Sequence, residues 1–520
     1  MTTTGRATAL EGTGRSIGTD RIAVVWFKRD LRLHDHRALV AAAEGHRILP
    51  LFIREPDIAR AEGVDPATTD FGMACAAELD RGLRRLGGRL VLRTGDAVRV
   101  LEELHRELSF DVVHAHEETG GMHTWDRDRA VARWCRGRGV DFIEHPQHGV
   151  IRRLDTRDGW AARWNRTMRT SESPDPSAPD SDIRLRFAMV EDPGRFDDTD
   201  SHDADRIPRL QVQPAGEQHA LRTLDDFLHR RGRDYRGGMS SPVTAAEACS
   251  RISPHLAWGS LSIRRAHQAA AVRQAEVREL GRRDGWAGSL ASFQSRLRWH
   301  CHFMQKLEDE PTLETRCMNP AFEGLREEWS EAHLEAWKNG MTGFPMVDAV
   351  MRSLAATGWA TFRMRAMVVS FACHHLQIDW RPVGRHLAAL FIDYEPGIHW
   401  SQCQMQAGVT GINTVRIYSP GKQVVDQDPT GVFIRKWVPE LLDVPDEHLA
   451  DPGLMPDMTQ RFARCRIGRD YPMPLVDHAT AYRRAREVIQ RRRSGPGTRD
   501  ASRAVQRKHG SRRRSPSRKR

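Results

Sequence analysis

A chain of 520 residues exceeds one ordinary domain, and no run of about 18 apolar residues occurs, so we expect no membrane-spanning helix. The net charge of +11 is uneven, because residues 483–520 hold 16 lysines and arginines against two acids, which leaves the remainder nearly neutral. The eight cysteines are scattered without a CxxC pair, which excludes a disulfide framework and indicates reduced thiols in a cytosol.

The front of the chain alternates short apolar runs with amphipathic segments. Residues 1–20 lack an apolar core and predict a disordered leader rather than a secretory signal. Between residues 21 and 150, five runs predict strands, at 22–27, 48–53, 89–92, 111–116 and 140–144, with helical segments such as 73–86 and 97–108 between them. This order predicts a doubly wound, Rossmann-like parallel sheet, although no GxGxxG fingerprint marks a dinucleotide site.

The rest of the chain divides into three predicted parts. Residues 151–215 include a stretch rich in Ser, Asp and Pro and are predicted to be a linker across the surface. Residues 216–482 have helical patterns and predict an all-α domain. Residues 483–520 are basic and poor in apolar residues, and they predict a disordered tail. Such a tail suits DNA phosphates without sequence preference, or it is a solubilising appendage.

Two helical segments, 346–354 and 362–376, are apolar enough to bury a wide face. The second carries Arg365 among apolar neighbours, where a guanidinium is costly unless it meets an anion. Asp393 and Glu395, in the loop FIDYEPGIHW, are plausible partners. This arrangement suits a buried polar ligand with its own hydrogen-bonding edge.

These residues resemble the flavin-binding domain of the DNA photolyase and cryptochrome family. The blocks that carry the resemblance stand in the family's order: 22–39 (IAVVWFKRDLRLHDHRAL), 250–262 (SRISPHLAWGSLS), 342–352 (TGFPMVDAVMR), 378–380 (IDW) and 431–441 (GVFIRKWVPEL). The resemblance runs from about residue 22 to about residue 450. It implies a photolyase-type α/β antenna domain followed by an all-helical FAD-binding domain.

The resemblance places the phosphates of FAD on one turn and its neighbourhood. The residues implied there are Tyr235, Cys249, Ser250, Arg251 and Ser253. Hydroxyls, a guanidinium and a helix that begins at Ser253 all favour an anion. Taken alone, Ser253 followed by proline would predict only an N-cap and a first helical residue.

At the other end of the cofactor, the resemblance implies contacts with the isoalloxazine ring. Phe293 matches an aromatic near the cofactor, and Asp393 and Glu395 match two acids beside the ring, the first paired with Arg365. His399 occupies the position facing flavin N5, where photolyases usually carry asparagine. A histidine that titrates near pH 7 would make the flavin's redox chemistry pH-sensitive.

The lesion site implied by the resemblance is altered in this chain. Trp299 matches the tryptophan that stacks on a cyclobutane dimer. The family's glutamate three residues earlier is Arg296, its asparagine is Phe362, and a second lesion-facing tryptophan is Met405. Arg296 can donate to a thymine carbonyl or a phosphate, but it cannot take the glutamate's acceptor role.

The family's relay of three tryptophans is also interrupted. Trp380 matches the middle member, but the member nearest the flavin is Cys403. Trp400 and Trp359 are alternatives for the missing ring, although ordinary core packing is the more frequent fate of a tryptophan. The outer member is undetermined, with Trp329 close in sequence.

Further partners follow from the resemblance. Relatives carry an antenna chromophore, a folate or a deazaflavin, and residues 114–121 (HAHEETGG) lie at a strand end where ligand crevices form. Capping and turn roles explain His116 and Glu117 equally well. Some bacterial relatives hold an iron–sulfur cluster, but only Cys465 lies near the C-terminal end, so we expect no metal. We expect a cytoplasmic monomer whose partner is UV-damaged DNA.

Two functions from different classes fit these residues. A deoxyribodipyrimidine photo-lyase, a carbon–carbon lyase, would flip a pyrimidine dimer out of DNA and split it by light-driven electron transfer from reduced FAD. Trp299 and the basic tail favour this reading, which we expect to hold. A cryptochrome-type blue-light photoreceptor without repair activity is the alternative, favoured by the altered lesion residues and the interrupted relay. A flavoprotein with neither activity is the third.

Overall fold

The computed structural model describes residues 21–196, 212–281 and 283–510. The predicted leader lies outside the described residues, as do part of the predicted linker (197–211) and the end of the predicted tail (511–520).

The α/β domain is built on a five-stranded parallel sheet, as the sequence predicts. The strands are β1 Ile22–Phe27, β2 Arg47–Arg54, β3 Val91–Thr94, β4 Val112–His116 and β5 Asp141–His145, in the order β3-β2-β1-β4-β5. The helices of this domain are α1 Arg37–Ala43, α2 Pro56–Ala61, α3 Pro66–Arg85, α4 Ala97–Leu108 and α5 Met122–Arg138. Only the third strand departs noticeably from prediction, since it begins two residues later than expected.

The central strand β1 shows why the sheet is doubly wound. Its side chains alternate between two separate cores: Val24 and Trp26 pack with residues of α4 and α5, whereas Val25 and Phe27 pack with residues of α1 and α3. A strand buried on both faces reads as a continuous apolar run, which is the pattern IAVVWF.

The second half of the chain is largely helical. Its helices are α6 Trp160–Arg169, α7 Glu217–His229, α8 Tyr235–Gly238, α9 Ala245–Ala248, α10 Ser253–Ala257, α11 Ile263–Glu279, α12 Trp286–Asp309, α13 Glu331–Lys338, α14 Pro345–Thr357, α15 Phe362–Ser370, α16 Trp380–Leu390, α17 Pro396–Gln406, α18 Pro420–Gln427, α19 Val432–Trp437, α20 Asp457–Phe462, α21 His478–Arg493 and α22 Thr498–His509. The helix predicted over 362–376 is interrupted, because α15 ends in a π-helical turn at Phe371–His375. Such turns are frequent at functional sites.

The loop after β1 joins the two halves. Arg32, which is buried, donates to the backbone oxygen of Gly259 at 2.9 Å, and Glu217 accepts from the backbone N–H groups of Leu33 and His34. These buried charged contacts orient the sheet against the helical domain, so the carboxyl ends of β1 and β4 face the helices.

Two predictions of irregular structure are wrong. Within the predicted linker, α6 buries Trp160, Trp164 and Met168 in the core of the helical domain. Within the predicted disordered tail, residues 483–493 continue α21 and residues 498–509 form α22, which buries Val505 against Leu307, Leu313 and Met318. Low mean hydropathy concealed a narrow apolar stripe, which is sufficient to dock a helix on an existing core.

Candidate cofactor and lesion site

The centre of the predicted site is an ion pair between α15 and the loop before α17. The guanidinium of Arg365 donates to Oδ2 of Asp393 at 2.7 Å and to the backbone oxygen of Ala360 at 2.9 Å. It also lies 3.9 Å from the centroid of the Phe391 ring. The other carboxylate oxygen of Asp393 is buried and has no hydrogen-bond partner among the described residues. A buried oxygen without a hydrogen-bond partner is suited to accept a hydrogen bond from a ligand.

The second predicted acid, Glu395, does not pair with an arginine. Its carboxylate lies 2.8 Å from Nε2 of His300, as an ion pair without hydrogen-bond alignment. Burial alone would lower the pKa of His300, but the charge of Glu395 raises this pKa to about 10, so the imidazole is protonated at neutral pH. Sequence reasoning missed His300. Its position directly after Trp299 is the only local signal, and its partner lies on a distant loop.

The expectation that His399 titrates near pH 7 is wrong. Burial lowers the pKa of His399 to about 4, so the ring is neutral. Its Nε2 donates to the backbone oxygen of Gly384 at 2.8 Å, since a carbonyl can only accept. The hydrogen therefore resides on Nε2, and Nδ1 presents a lone pair.

The predicted phosphate turn holds a partly buried guanidinium. Arg251 has a left-handed backbone (φ 61°), and its side chain lies 3.8 Å from the centroid of the Trp359 ring rather than on a carboxylate. Burial lowers the pKa of Arg251 to about 10. The turn itself is held by Arg231, which donates to the backbone oxygens of Cys249 and Ser250. A partly buried cation that lies on an aromatic ring, with no ion-pair partner in the described chain, is suited to an anionic ligand.

The flanks of this turn partly match the expectations. The buried Tyr235 and Phe293 contact each other at 6.2 Å between ring centroids, and both pack on Phe227. Ser253 is the first residue of α10, with Ile252 as the N-cap, and this helix has only five residues. The predicted helix start at Ser253 is confirmed, and this short helix adds to the hydroxyls and the guanidinium of the turn.

The altered lesion residues come together on the surface. The guanidinium of Arg296 lies 4.2 Å from the ring centroid of Trp299 and 5.8 Å from that of Phe362. Trp299 is 43% exposed and Phe362 is 48% exposed, and we call these three residues the aromatic patch. Arg296 also hydrogen-bonds the Tyr235 hydroxyl, so the patch adjoins the predicted cofactor site. Met405 is half-buried.

An aromatic ring, that of Trp400, lies close to the tryptophan relay that is interrupted at Cys403. Trp380 is fully buried, and its ring centroid lies 5.8 Å from that of Trp400, which in turn lies 5.0 Å from His399. Gly384 allows this approach, because a Cβ there would lie 2.4 Å from the Trp400 ring. Burial raises the pKa of the Cys403 thiol, which is therefore protonated. Trp359 is engaged by Arg251 instead.

These groups fit an FAD molecule. The unpaired carboxylate oxygen of Asp393 and the lone pair of His399 would suit the polar edge of an isoalloxazine, and the Arg251 turn would suit a pyrophosphate. Two ion pairs, Arg365–Asp393 and His300–Glu395, keep this region electrically balanced.

One group of potential metal ligands occurs in the described part of the chain: Asp30, His36 and His116. Asp30 accepts from Nε2 of His36 at 3.0 Å and from Nδ1 of His116 at 2.7 Å. Nδ1 of His36 accepts from the Leu39 N–H, so its Nε2 must carry the hydrogen. A metal on that nitrogen would require an imidazolate, so this cluster is a closed hydrogen-bond network. The expectation of no metal stays a prediction.

The strand ends proposed for an antenna carry a dense set of charges. Arg127 pairs with Glu118 and Asp128, and Lys28 pairs with Asp128 at 2.8 Å, all with side chains less than a tenth exposed. The crevice beside them is also lined by Glu395 of the helical domain. The antenna region and the cofactor region thus share one wall.

Two remaining sequence expectations concern the thiols and the membrane. All eight cysteines are free, and seven of them are buried. Across residues 21–196, 212–281 and 283–510, every helix is too short or too polar to cross a bilayer.

Comparison with known proteins agrees with this geometry. A model described as DNA photolyase matches residues 23–163, and one described as the FAD binding domain of DNA photolyase matches residues 293–491. A deoxyribodipyrimidine photo-lyase of Streptomyces griseus is 31% identical over 482 residues, which are 88% of this chain and 97% of that protein. A cryptochrome DASH of Gloeobacter violaceus is 28% identical over 480 residues, 88% of this chain and 93% of that protein. The crystal structure of a bacterial class III photolyase from Agrobacterium tumefaciens superposes with a TM-score of 0.79 at 27% identity, over 93% of this chain and 100% of that one.

Proposed function

Because the chain belongs to the DNA photolyase and cryptochrome family, we propose that it is a deoxyribodipyrimidine photolyase, which splits UV-induced pyrimidine dimers in DNA under blue light. One observation carries this proposal: the aromatic patch exposes two large rings beside the groups that fit FAD. A single exposed aromatic ring is common, but contiguous exposed apolar surface marks binding sites, and here two rings lie around one guanidinium.

Bound FAD supplies light-driven one-electron chemistry. The protein's own contribution is positioning and charge. Arg251 would hold the pyrophosphate, and the open oxygen of Asp393 would accept a hydrogen bond from the ring edge. The protonated His300 lies against Glu395, and the neutral His399 offers Nδ1 as an acceptor.

The aromatic patch would receive a dimer flipped out of the DNA stack. Flipping is least costly for a damaged base, because its pairing is already disturbed. Stacking on Trp299 and Phe362 would contribute about 1–3 kcal/mol per base. Arg296 presents only N–H donors, so it would contact thymine carbonyls or a phosphate. Arg296 therefore supplies donors at the position where the family's glutamate supplies an acceptor.

A cryptochrome-type photoreceptor without repair activity is the second candidate. Two observations favour it: Arg296 and Phe362 stand at lesion positions, and the protonated thiol of Cys403 stands in the relay. The two candidates differ in one measurable property, which is whether light converts dimers to monomers.

The test uses full-length protein with its FAD reduced chemically, which bypasses the relay. A dimer-containing oligonucleotide is irradiated with blue light, and repaired strands are counted by chromatography, with a dark sample alongside. We expect repair by the wild type and a loss of at least tenfold in Trp299→Ala. Trp125→Ala is the matched control, because Trp125 is equally exposed (43%) on the α/β domain. Repair at the dark level by fully FAD-loaded wild type would leave the photoreceptor as the function.

The remaining features of the proposed holoprotein follow from the same purified sample. We propose one non-covalent FAD per chain, no metal, an antenna chromophore (a folate or a deazaflavin) in the α/β domain, and a cytoplasmic monomer. Absorption spectra of the extracted chromophores, elemental analysis and light scattering test these points. A stoichiometric metal or a stable dimer would contradict them.

A further inference from the structure

A cluster of basic side chains lies at the C-terminal end of α12, about 10 Å along that helix from the nearest residue of the aromatic patch. His302 and Lys306 are four residues apart, so they share one face of α12. Arg157, in the segment before α6, donates to the backbone oxygen of His302 at 3.2 Å. His509, at the end of α22, lies 2.7 Å from Glu310 and interacts electrostatically with Lys306. We call Arg157, His302, Lys306 and His509 the α12–α22 cluster.

Arg157 has more donors than acceptors. Its side chain is buried, and its Nε and Nη1 have no hydrogen-bond partner in the part of the chain that the structure describes. The carboxylate of Asp309 lies 3.5 Å from Nε but is not aligned as an acceptor. Buried donors without acceptors are rare, because such groups lose their hydration without compensation. The two N–H groups are therefore suited to the oxygen atoms of an anion.

Lys306 is also buried without an acid. Its ammonium lies 4.9 Å from the ring centroid of Phe303, and no carboxylate among the described residues is within ion-pair distance of it. Burial, and to a smaller extent the charge of Arg157, lowers the pKa of Lys306 to about 7. The amine is therefore partly charged at neutral pH, and a buried ammonium is costly unless it meets an anion.

The acid at the edge of the cluster is already engaged. Glu310 contacts His509 at 2.7 Å and Lys508 at 2.8 Å. A guanidinium with two open N–H groups beside a buried ammonium matches an oxyanion, whereas a cation or an apolar ligand would leave both groups unpaired. We propose that the α12–α22 cluster binds one small tetrahedral oxyanion, phosphate or sulfate, which accepts hydrogen bonds from Arg157 and Lys306. The anion thereby strengthens the packing of α22 on α12.

Titration calorimetry of the full-length holoprotein with sodium sulfate, at an ionic strength held constant with chloride, tests the site. In the holoprotein the Arg251 turn is not available to sulfate. We expect saturable binding of one sulfate per chain. Lys306→Met should weaken this binding by about 10- to 150-fold, because it removes one charge-assisted hydrogen bond. Lys338→Met is the matched control, since it makes the same substitution on α13, where the lysine pairs with Glu335 at 2.6 Å. It should bind sulfate like the wild type.

The affinity should also depend on pH in one direction. Sulfate keeps its charge near neutral pH, so a change reflects the protein. Lys306 is charged below its pKa of about 7 and neutral above it, so the affinity should fall as the pH rises from about 6 to about 8.5. Arg157 stays charged in this range, and burial lowers the pKa of both His302 and His509, so these histidines titrate at lower pH. In Lys306→Met the pH dependence should disappear.

A second variant keeps the test decisive if Lys306→Met does not fold. Arg157→Lys retains the charge but loses the two open N–H groups, so it should also bind sulfate more weakly than the wild type. Wild type without saturable sulfate binding would overturn the proposal. Equal affinities in the wild type and both variants would do so too, because sulfate would then bind elsewhere. Dimer repair is not a readout here, so failure of the proposed function leaves this test intact.

Discussion

Replacing Asp393 by alanine tests the assignment of the cofactor site most directly. The substitution removes the 2.7 Å charge-assisted contact to Arg365 and the open oxygen that would face the ligand. Breaking a fully buried pair destabilises a protein by about 3–5 kcal/mol. Here Arg365 keeps its bond to Ala360, its contact with Phe391 and a side chain that is 26% exposed. We therefore expect the smaller loss of about 2 kcal/mol in the free energy of unfolding of the apoprotein.

The effect on cofactor binding should be separate and additional. A hydrogen bond to a charged acceptor contributes about 1.5–3 kcal/mol, which corresponds to a rise of roughly 10- to 150-fold in the Kd for FAD. Urea unfolding of the apoprotein measures the first effect, and flavin fluorescence titration measures the second. Glu335→Gln removes an exposed helical pair with Lys338 in the same domain and should change stability by no more than about 0.5 kcal/mol.

The result that refutes this reasoning is full flavin occupancy of Asp393→Ala after dialysis, with an unchanged Kd. Asp393 would then be a purely structural partner of Arg365.

Three further outcomes follow from the site and its surroundings. Burial alone would lower the pKa of His300, but Glu395 raises it to about 10, above the unfolded value of about 6.5. The stabilisation that wild type gains over His300→Gln should therefore be complete below pH 6.5 and should disappear as the pH rises to 10. Unfolding curves of both proteins across this range measure the difference. Trp400→Phe should slow blue-light photoreduction with an external reductant and Cys403→Trp should speed it; unchanged rates in both would mean that the electron takes another route. Val505→Asp should undock α22 and lower the free energy of unfolding by at least about 1.5–3 kcal/mol, and an unchanged Tm would mean that α22 adds no stability. Deletion of residues 511–520 should leave the Tm unchanged but should make DNA binding less dependent on salt.

Local patterns predicted much of the architecture. The run IAVVWF predicts both ends of β1 correctly, because a strand buried on both faces is continuously apolar. Residues 97–108 predict both ends of α4 correctly, because a helix with one buried face has apolar residues at helical spacing. The same logic found Arg365 as a cation in need of an anion, and the structure supplies Asp393. Family-like blocks then indicated FAD, which no periodicity could have specified.

Other features depended on contacts between distant residues. His300 is paired with the distant Glu395, and burial sets the pKa of His399. The charge states of these two histidines could therefore not be predicted from their neighbours in the sequence. The docking of α22 depends on an apolar surface made by other segments, which its own basic composition conceals. The sequence by itself therefore determined the family and most of the secondary-structure elements. Only the tertiary structure decided which charges are paired and which histidines are protonated, because burial and long-range electrostatics arise only when the chain is folded.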